Sequence, residues 1–334
     1  MKPSKSAQKG VIMKKLGKIL LIALISLVTL LLVVWVGLWI ARGIAYNDYI
    51  SHKETESKIP ALDKGFVPQG LAHAENDIFL HSGYSSKSDA MEIHITIGKE
   101  EKQIIPVDKN GKIWEGHGGG ISRAGDYVYV ANDGMLIIFR YEDLLSAKDK
   151  DCVQSIGTFD VDTNASFCFA DDNHIYVGEF YRPVVYETDP AQHYTTPSGD
   201  ENKAIVSCYA LRDDGSLADK YPIYSISIRS QVQGFAVKDN VFILSSSWGV
   251  SSSKLDFYRG LGFDGDTISI SGMEVPLYYL DSSNHVKTVS MPAFSEGLDI
   301  IDNRIIISFE SACDKYIIGK LFFANKVVSY PIFE

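Results

Sequence analysis

The chain has 334 residues, of which 46% are hydrophobic and 22% are charged, and this composition excludes a wholly disordered protein. Residues 1–45 hold seven basic side chains and no acid, so the remainder has 25 basic and 42 acidic residues, a net charge near −17. A domain this acidic is expected to bind neither nucleic acid, through its phosphates, nor anionic lipid headgroups.

The first predicted element is a membrane-spanning helix over residues 19–40, a stretch without any charge. A helix of this length crosses a hydrocarbon core of about 30 Å. Trp35 and Trp39 lie near its far end, where indole rings favour the membrane interface. A cleaved signal peptide is the alternative, although its apolar region is usually only about 7–15 residues long.

The charges beside this helix predict its orientation. Residues 1–18 contain six lysines, so the positive-inside rule places this basic tail in the cytoplasm. Residues 41–58 are mostly polar and predict a stalk, and residues 59–334 then form an extracytoplasmic domain. We therefore expect a single-pass protein of the cell membrane, with residues 19–40 as its membrane contact.

A repeated pattern of strands fills the remainder. A strand with small residues, a turn with Asp, Asn or Gly, and a strongly apolar strand recur at 67–86, 116–134, 164–180, 232–249 and 295–311. Third strands are predicted at 91–97, 136–141, 204–211, 275–280 and 317–323. Fourth strands are predicted at 102–107, 155–161, 221–228, 286–291 and 326–332. Only residues 141–147 resemble a helical turn.

This pattern predicts an all-β fold, and specifically a β-propeller. Four-stranded units repeated at this length are typical of propeller blades, because a lone sheet with two apolar faces must pack between neighbours. Five blades fit the count, and residues 59–67 are candidates for closing the ring. A sixth blade within 181–203 or 250–274, and a β-sandwich, are the alternatives. The four cysteines, at 152, 168, 208 and 313, lack metal-type spacing and predict free thiols, with disulfides left open.

The channel mouth of such a propeller is its default binding site. The residues just before the inner glycines are candidates for a polar ring there: Gln69, His117, Asn164, Ser166, Gln233 and Glu296. The loops after the second strands supply candidates for a rim: Tyr84, Asn132, Glu179, Tyr181, Arg182, Trp248 and Glu310. The ring either binds a ligand, a metal or a file of water molecules, or consists of polar groups that satisfy one another.

The segments VPQGLA, GHGGGIS, VQGF and SEGLDI, each followed by an Asp or Asn turn and an apolar strand, resemble the secreted or membrane-anchored β-propeller proteins of bacteria. They are distantly similar to the gluconolactonase and strictosidine-synthase-like propellers. The resemblance to lactonases implies a divalent metal in the channel, with Glu296 and Asn164 as the matching ligands. It also implies calcium as the metal, and His117 is then the candidate general base.

Two functions of different class follow from these observations. The first is a non-enzymatic, membrane-anchored propeller that binds a small molecule or a protein at its channel mouth, through Gln69, His117, Ser166, Gln233 and Glu296 with Arg182 and Trp248 at the rim. The second is a calcium-dependent lactonase or esterase with its site on the axis. A passive spacer in an envelope complex is a third reading.

Overall fold

The structure of the chain is a computed structural model that describes residues 5–321 and 324–332. These residues form two compact units, one ending at Ile50 and one beginning at Ser51. The first unit holds helix α1 (Lys5–Ala45), and the short helix α2 (Asn47–His52) follows it in the chain. Within α1, the span Met13–Ala45 is long and apolar enough to cross a membrane, a property that membrane anchors share with signal sequences.

The second unit consists mainly of β-strands. In chain order these are β1 (Glu54–Lys58), β2 (Phe66–Glu75), β3 (Ile78–Ser85), β4 (Met91–Ile97), β5 (Glu100–Val107), β6 (Gly120–Ala124), β7 (Tyr127–Asn132), β8 (Met135–Arg140), β9 (Cys152–Gln154), β10 (Gly157–Asp160), β11 (Phe167–Ala170), β12 (His174–Gly178), β13 (Tyr194–Thr195), β14 (Glu201–Asn202), β15 (Ala204–Ala210), β16 (Tyr224–Ile228), β17 (Val232–Lys238), β18 (Val241–Ser246), β19 (Ser253–Arg259), β20 (Thr267–Ile270), β21 (Met273–Tyr279), β22 (His285–Met291), β23 (Ser295–Ile301), β24 (Arg304–Phe309) and β25 (Lys326–Pro331). One further helix, α3 (Tyr141–Ser146), occupies the predicted helical turn.

These strands form five antiparallel four-stranded blades, which confirms the predicted five-bladed β-propeller. From the axis outward the blades are β2-β3-β4-β5, β6-β7-β8-β10, β11-β12-β15-β16, β17-β18-β19-β22 and β23-β24-β25-β1. Strand β9 extends the first blade by pairing parallel with β5. The hairpin β20–β21 extends the third blade in the same way, through β16.

Two blades are assembled from different segments than the sequence predicts. In the fourth blade the third strand is β19, whereas the predicted segment 275–280 belongs mostly to β21, in the hairpin added to the third blade. In the fifth blade β25 is the third strand and not the fourth, and residues 317–321 form no strand. The predicted residues 322 and 323 lie outside the described part of the chain. Both shifts arise because an apolar alternating segment pairs equally well with any available sheet edge.

The ring is closed by β1, which pairs antiparallel with β25 and so becomes the fourth strand of the last blade. The sequence predicts these residues as the end of the stalk, because Glu54–Lys58 are polar and mixed in charge. In the structure they are mostly exposed. An outer strand needs no apolar face, and its backbone hydrogen bonds alone cover the edge of β25. The N-terminal and C-terminal strands of the propeller therefore share one sheet.

Alternating side chains along a strand pack into different interfaces between blades, which explains the continuous apolar runs. Val128 and Val130 of β7 belong to the core between the first and second blades. Tyr129 and Ala131 of the same strand belong to the core between the second and third blades. Both faces of each central strand are therefore buried.

The strand directions define two ends of the propeller. The inner strands begin at one end, here called the mouth, and the second strands finish there. Since β24, β25 and β1 follow antiparallel to one another, β1 finishes at the mouth with Lys58 and begins at the opposite end with Glu54. The polypeptide therefore enters the propeller on the face away from the mouth.

The inner strands approach so closely that some of their glycines have no room for a side chain. A Cβ atom on Gly297 of β23 would lie 2.5 Å from the backbone nitrogen of Leu71 in the neighbouring blade. A Cβ atom on Gly70 would lie 2.5 Å from the backbone nitrogen of Ile121. The predicted role of these glycines, crowding at the axis, agrees with this geometry.

Removal of the closing strand is expected to destabilise the ring strongly. A chain starting at residue 59 lacks β1 and the hydrogen bonds that join β1 to β25. Each lost hydrogen bond lowers the free energy of unfolding by about 1 kcal/mol, and the edge of β25 becomes exposed. Thermal melts should show a lower melting temperature and aggregation. A chain starting at residue 51 is the control and should melt as the full propeller does. Equal melting of the two chains would contradict closure by β1.

Substitution at an inner glycine should be costly, and substitution at an outer one should not. Gly297→Ala forces neighbouring backbone apart, which typically costs about 1–3 kcal/mol. Gly157→Ala, in the outer strand β10 with no atom within 4 Å of the added Cβ, is the matched control. Urea unfolding of both variants measures the difference, and equal midpoints would show that the axis is not crowded.

Candidate ligand-binding cavity

A cavity of about 780 Å³ opens at the mouth of the propeller. All six residues predicted for the polar ring line it: Gln69, His117, Asn164, Ser166, Gln233 and Glu296. Four of the predicted rim residues line it as well: Tyr84, Asn132, Trp248 and Glu310. The volume lies within the range of cavities that hold small organic molecules.

The other three rim residues lie outside the lining. Glu179 is buried and accepts hydrogen bonds from the backbone nitrogens of Ile205, at 3.2 Å, and Asn164, at 3.4 Å. Arg182 lies over the Trp248 ring, with 4.0 Å between its Cζ atom and the ring centroid. Tyr181 contacts His193 edge to face at 5.2 Å. Glu179 thus binds the backbone of the lining residue Asn164, and Arg182 packs on the lining residue Trp248.

Bulges in three inner strands deliver three of the polar side chains to the axis. The pairing with the second strand shifts by one residue around Gln69 in β2, around Gln233 in β17 and across Glu296 in β23. A bulge leaves one residue unpaired and re-aims its side chain. In each case a glycine follows directly, so the dipeptides Gln-Gly, Gln-Gly and Glu-Gly are the sequence signature of these positions.

The floor of the cavity is a pair of buried carboxyl groups. Glu296 and Glu310 lie close enough for each carboxyl group to influence the pKa of the other. Each is also held by an amide: Gln69 Nε2 donates to Glu310 Oε2 at 2.9 Å, and Gln233 Nε2 donates to Glu296 Oε1 at 3.2 Å. The four side chains come from the first, fourth and fifth blades, so the floor exists only when the ring is closed.

The pKa values of both carboxyl groups are raised. Burial raises the pKa of Glu296 well above 4.5, and the neighbouring Glu310 carboxylate raises it further. Burial raises the pKa of Glu310 to about 7, against the opposing effects of Lys315 and of hydrogen bonds from Tyr316 and Gln69. Both shifts favour protonation, since two adjacent buried carboxylates repel each other.

One wall of the cavity comes from the segment after β24, just before the predicted strand 317–323. Lys315 donates a hydrogen bond to the Tyr84 hydroxyl and lies 4.6 Å from the centroid of that ring. Tyr316 packs against Phe294, directly before β23, at 5.1 Å between ring centroids. Lys315, Tyr316 and Phe294 are thus cavity residues that the sequence did not predict. Their only sequence signal is a position in loops that precede the third strand or the inner strand of a blade.

A second wall is aromatic and comes from the third and fourth blades. Phe180 stacks on Trp248 with 6.0 Å between centroids, and Tyr186 contacts both rings edge to face. His117 is exposed and meets Tyr84 edge to face at 5.1 Å. The cavity therefore has a polar floor and a largely apolar upper wall.

The residues implied as calcium ligands are engaged with separate partners. Glu296 accepts a hydrogen bond from Gln233, whereas Asn164 Nδ2 donates to the backbone oxygen of Glu187 at 3.4 Å. Across residues 5–321 and 324–332, no three His, Cys, Asp or Glu side chains converge into a group that suits a metal ion. Calcium at Glu296 and Asn164 stays a prediction.

No protein-family model and no curated protein matches the chain. Among solved structures, it is similar to a GH43_1 enzyme from Xanthomonas citri, with 12% identity, a TM-score of 0.37 and coverage of 86% of this chain and 93% of that one. BamB from Moraxella catarrhalis has 7% identity, a TM-score of 0.32 and coverage of 79% and 85%. Saccharomyces cerevisiae Sqt1 has 9% identity, a TM-score of 0.32 and coverage of 77% and 83%.

The buried carboxyls make a definite prediction for the pH dependence of stability. In the folded state Glu310 has a pKa near 7, so it keeps its proton at pH values above 4.5, the ordinary pKa of a glutamate side chain. The stability that depends on this bound proton is therefore fully present below pH 4.5 and is lost as the pH rises to 7. Burial likewise raises the pKa of Glu179 and of Asp299 to about 7.

Urea unfolding between pH 5 and 8 should therefore show stability that falls as the pH rises to about 7. Glu310→Gln removes one titrating group and should flatten this slope by up to about 1.4 kcal/mol per pH unit. Glu100→Gln, at an exposed position of β5, is the control and should keep the original slope. If stability depends on pH as steeply in Glu310→Gln as in the unsubstituted chain, the raised pKa of Glu310 is contradicted.

Proposed function

We propose that this chain is a membrane-anchored, extracytoplasmic β-propeller that binds a small, neutral, polar organic molecule in the mouth cavity and does not convert it chemically. The observation that carries the proposal is the floor. Two buried carboxyl groups, Glu296 and Glu310, each accept a hydrogen bond from a glutamine side chain that a bulge directs to the axis. The anchor and its orientation rest on the apolar helix and the six lysines before it.

The floor lowers the free energy of unfolding of the ring, which supports a role for it other than holding the ring together. Burying carboxyl groups costs free energy even when they are hydrogen-bonded, and apolar replacements are often equally stable. Three bulges interrupt ladder pairing at the same level of the channel. Strained pairing and perturbed pKa values at the bottom of a cavity are typical of a binding site.

The charges around the cavity disfavour an anionic ligand. A carboxylate or phosphate would meet the carboxyl groups of four lining residues, Asp133, Glu187, Glu296 and Glu310. Lys315 lies close enough to Glu310 to lower the pKa of that carboxyl group, and it offsets part of this charge at the floor. Hydroxyl groups suit this floor best, because they donate to carboxyl oxygens and accept from amides.

A binding role is favoured over catalysis by the surroundings of the candidate catalytic residues. The candidate base His117 lies exposed beside Tyr84, and Glu296 already accepts a hydrogen bond from Gln233. The alternative, a calcium-dependent lactonase, is supported by the presence of Glu296, Asn164 and His117 in one cavity.

Thermal melting of the full-length chain in lipid nanodiscs, against a panel of neutral polyols and sugars, tests the proposal. A ligand at about 100 times its dissociation constant adds about 2.7 kcal/mol of stability, a shift of several degrees. Gln69→Ala and Gln233→Ala should each abolish the shift by removing a floor donor. Gln154→Ala, at an exposed site in β9, is the matched control and should retain it.

Two results would contradict the proposal. One is a shift of equal size in both floor variants, because the ligand would then sit elsewhere. The other is turnover of a lactone or ester panel that stops when a chelator is added, since this outcome supports the lactonase.

A further inference from the structure

The mouth of the cavity is surrounded by exposed apolar side chains. Val184, Ile317 and Ile318 have exposed fractions of 91%, 83% and 62%, the highest of the large apolar residues described after Ser51. Val185 and Val250 are also exposed. These five residues, here called the apolar rim, come from the loops after β12, β18 and β24. Isolated exposed apolar residues are ordinary, but a cluster at one opening indicates a binding surface.

The part of the rim that projects furthest is held in a defined conformation. A tight hairpin joins Arg182 and Tyr186 through two reciprocal backbone hydrogen bonds of 2.7 and 3.0 Å. At its tip Val184 has φ +72°, a left-handed conformation that is strained for a β-branched side chain. Strained backbone of this kind is concentrated at functional sites. The fixed backbone of the hairpin therefore exposes the side chains of Val184 and Val185 to solvent.

The rim is continuous with the wall of the cavity. Val185 and Tyr186 line the cavity themselves. Val250 follows the lining residues Trp248 and Gly249, and Ile317 follows the lining residue Tyr316. The three loops belong to the third, fourth and fifth blades, whose inner strands are neighbours around the axis. The surface thus changes gradually from a polar floor, through an aromatic wall, to an apolar opening.

We infer that the ligand of this cavity is a small amphiphile, with a neutral hydroxyl-bearing head at the Glu296–Glu310 floor and an apolar tail against the rim. The inference rests on the proposed function, because it assigns the head to the same floor. The cavity of about 780 Å³ accommodates a head of one sugar ring, and the rim then shields the methylene groups of the tail.

The dependence of affinity on tail length tests this inference. Alkyl β-glucosides from methyl to hexyl and alkane-1,2-diols from propane to octane are the probes, titrated calorimetrically into the full-length chain in nanodiscs with empty nanodiscs as the blank. Each methylene buried at the rim should raise affinity about three- to fourfold. The double variant Ile317→Ser, Ile318→Ser should lose most of that gain. The double variant Ile223→Ser, Val286→Ser, at exposed apolar positions outside the rim, is the matched control and should keep it.

The outcomes separate the two claims. An unchanged dependence on tail length in the rim variant, or no dependence at all, overturns the amphiphile inference. If methyl glucoside or propanediol still binds in that case, and Gln69→Ala abolishes the binding, the proposed function stands. Absence of binding by every probe overturns both. Binding of the long-tailed probes that survives Gln69→Ala overturns the floor as head site, and with it both claims.

Discussion

The crowding of five inner strands around one axis is the constraint on which the rest of the molecule depends. Each strand approaches its neighbours so closely that Gly70 and Gly297 have no space for a side chain. Such an arrangement is stable only as a closed ring, because an open end would leave one apolar blade face uncovered. The hydrogen bonds between β1 and β25 supply that closure, and they join the two ends of the propeller in one sheet.

The same crowding creates the site. Where an inner strand cannot continue in regular pairing, a bulge leaves one residue outside the ladder, and that residue is Gln69, Gln233 or Glu296. A glycine beside each of them admits the neighbouring backbone. The polar floor is therefore a direct consequence of how the strands converge. Its members come from three different blades, so its geometry is as rigid as the ring itself.

The raised pKa values of Glu296 and Glu310 link this geometry to the electrostatics. Two ionised carboxylates close together would repel each other in a site from which water is largely excluded. Protonation is therefore favoured, while Lys315, Tyr316 and Gln69 favour the charged form of Glu310. The floor consequently offers both hydrogen-bond donors and acceptors, beneath walls that are aromatic and an opening that is apolar.

The sequence by itself determined the class of fold, the number of blades and the identity of the polar ring. The recurring apolar runs, turns and glycines are local patterns, and local patterns persist in the folded chain. Gln69, Gln233 and Glu296 were identifiable because each stands directly before an inner glycine. The apolar segment before Ala45 was equally clear from composition.

Only the tertiary structure decided how the outer strands and the loops are used. An apolar strand pairs with any free edge, so β21 joined the third blade and not the fourth. The polar segment Glu54–Lys58 became the closing strand because the edge of β25 requires backbone partners and no apolar side chains. Glu310, predicted for the rim, reached the floor of the cavity, and Lys315 reached its wall, through contacts with residues more than two hundred positions earlier, at Gln69 and Tyr84. Contacts at such separation depend on ring closure, and no local pattern in the sequence encodes them.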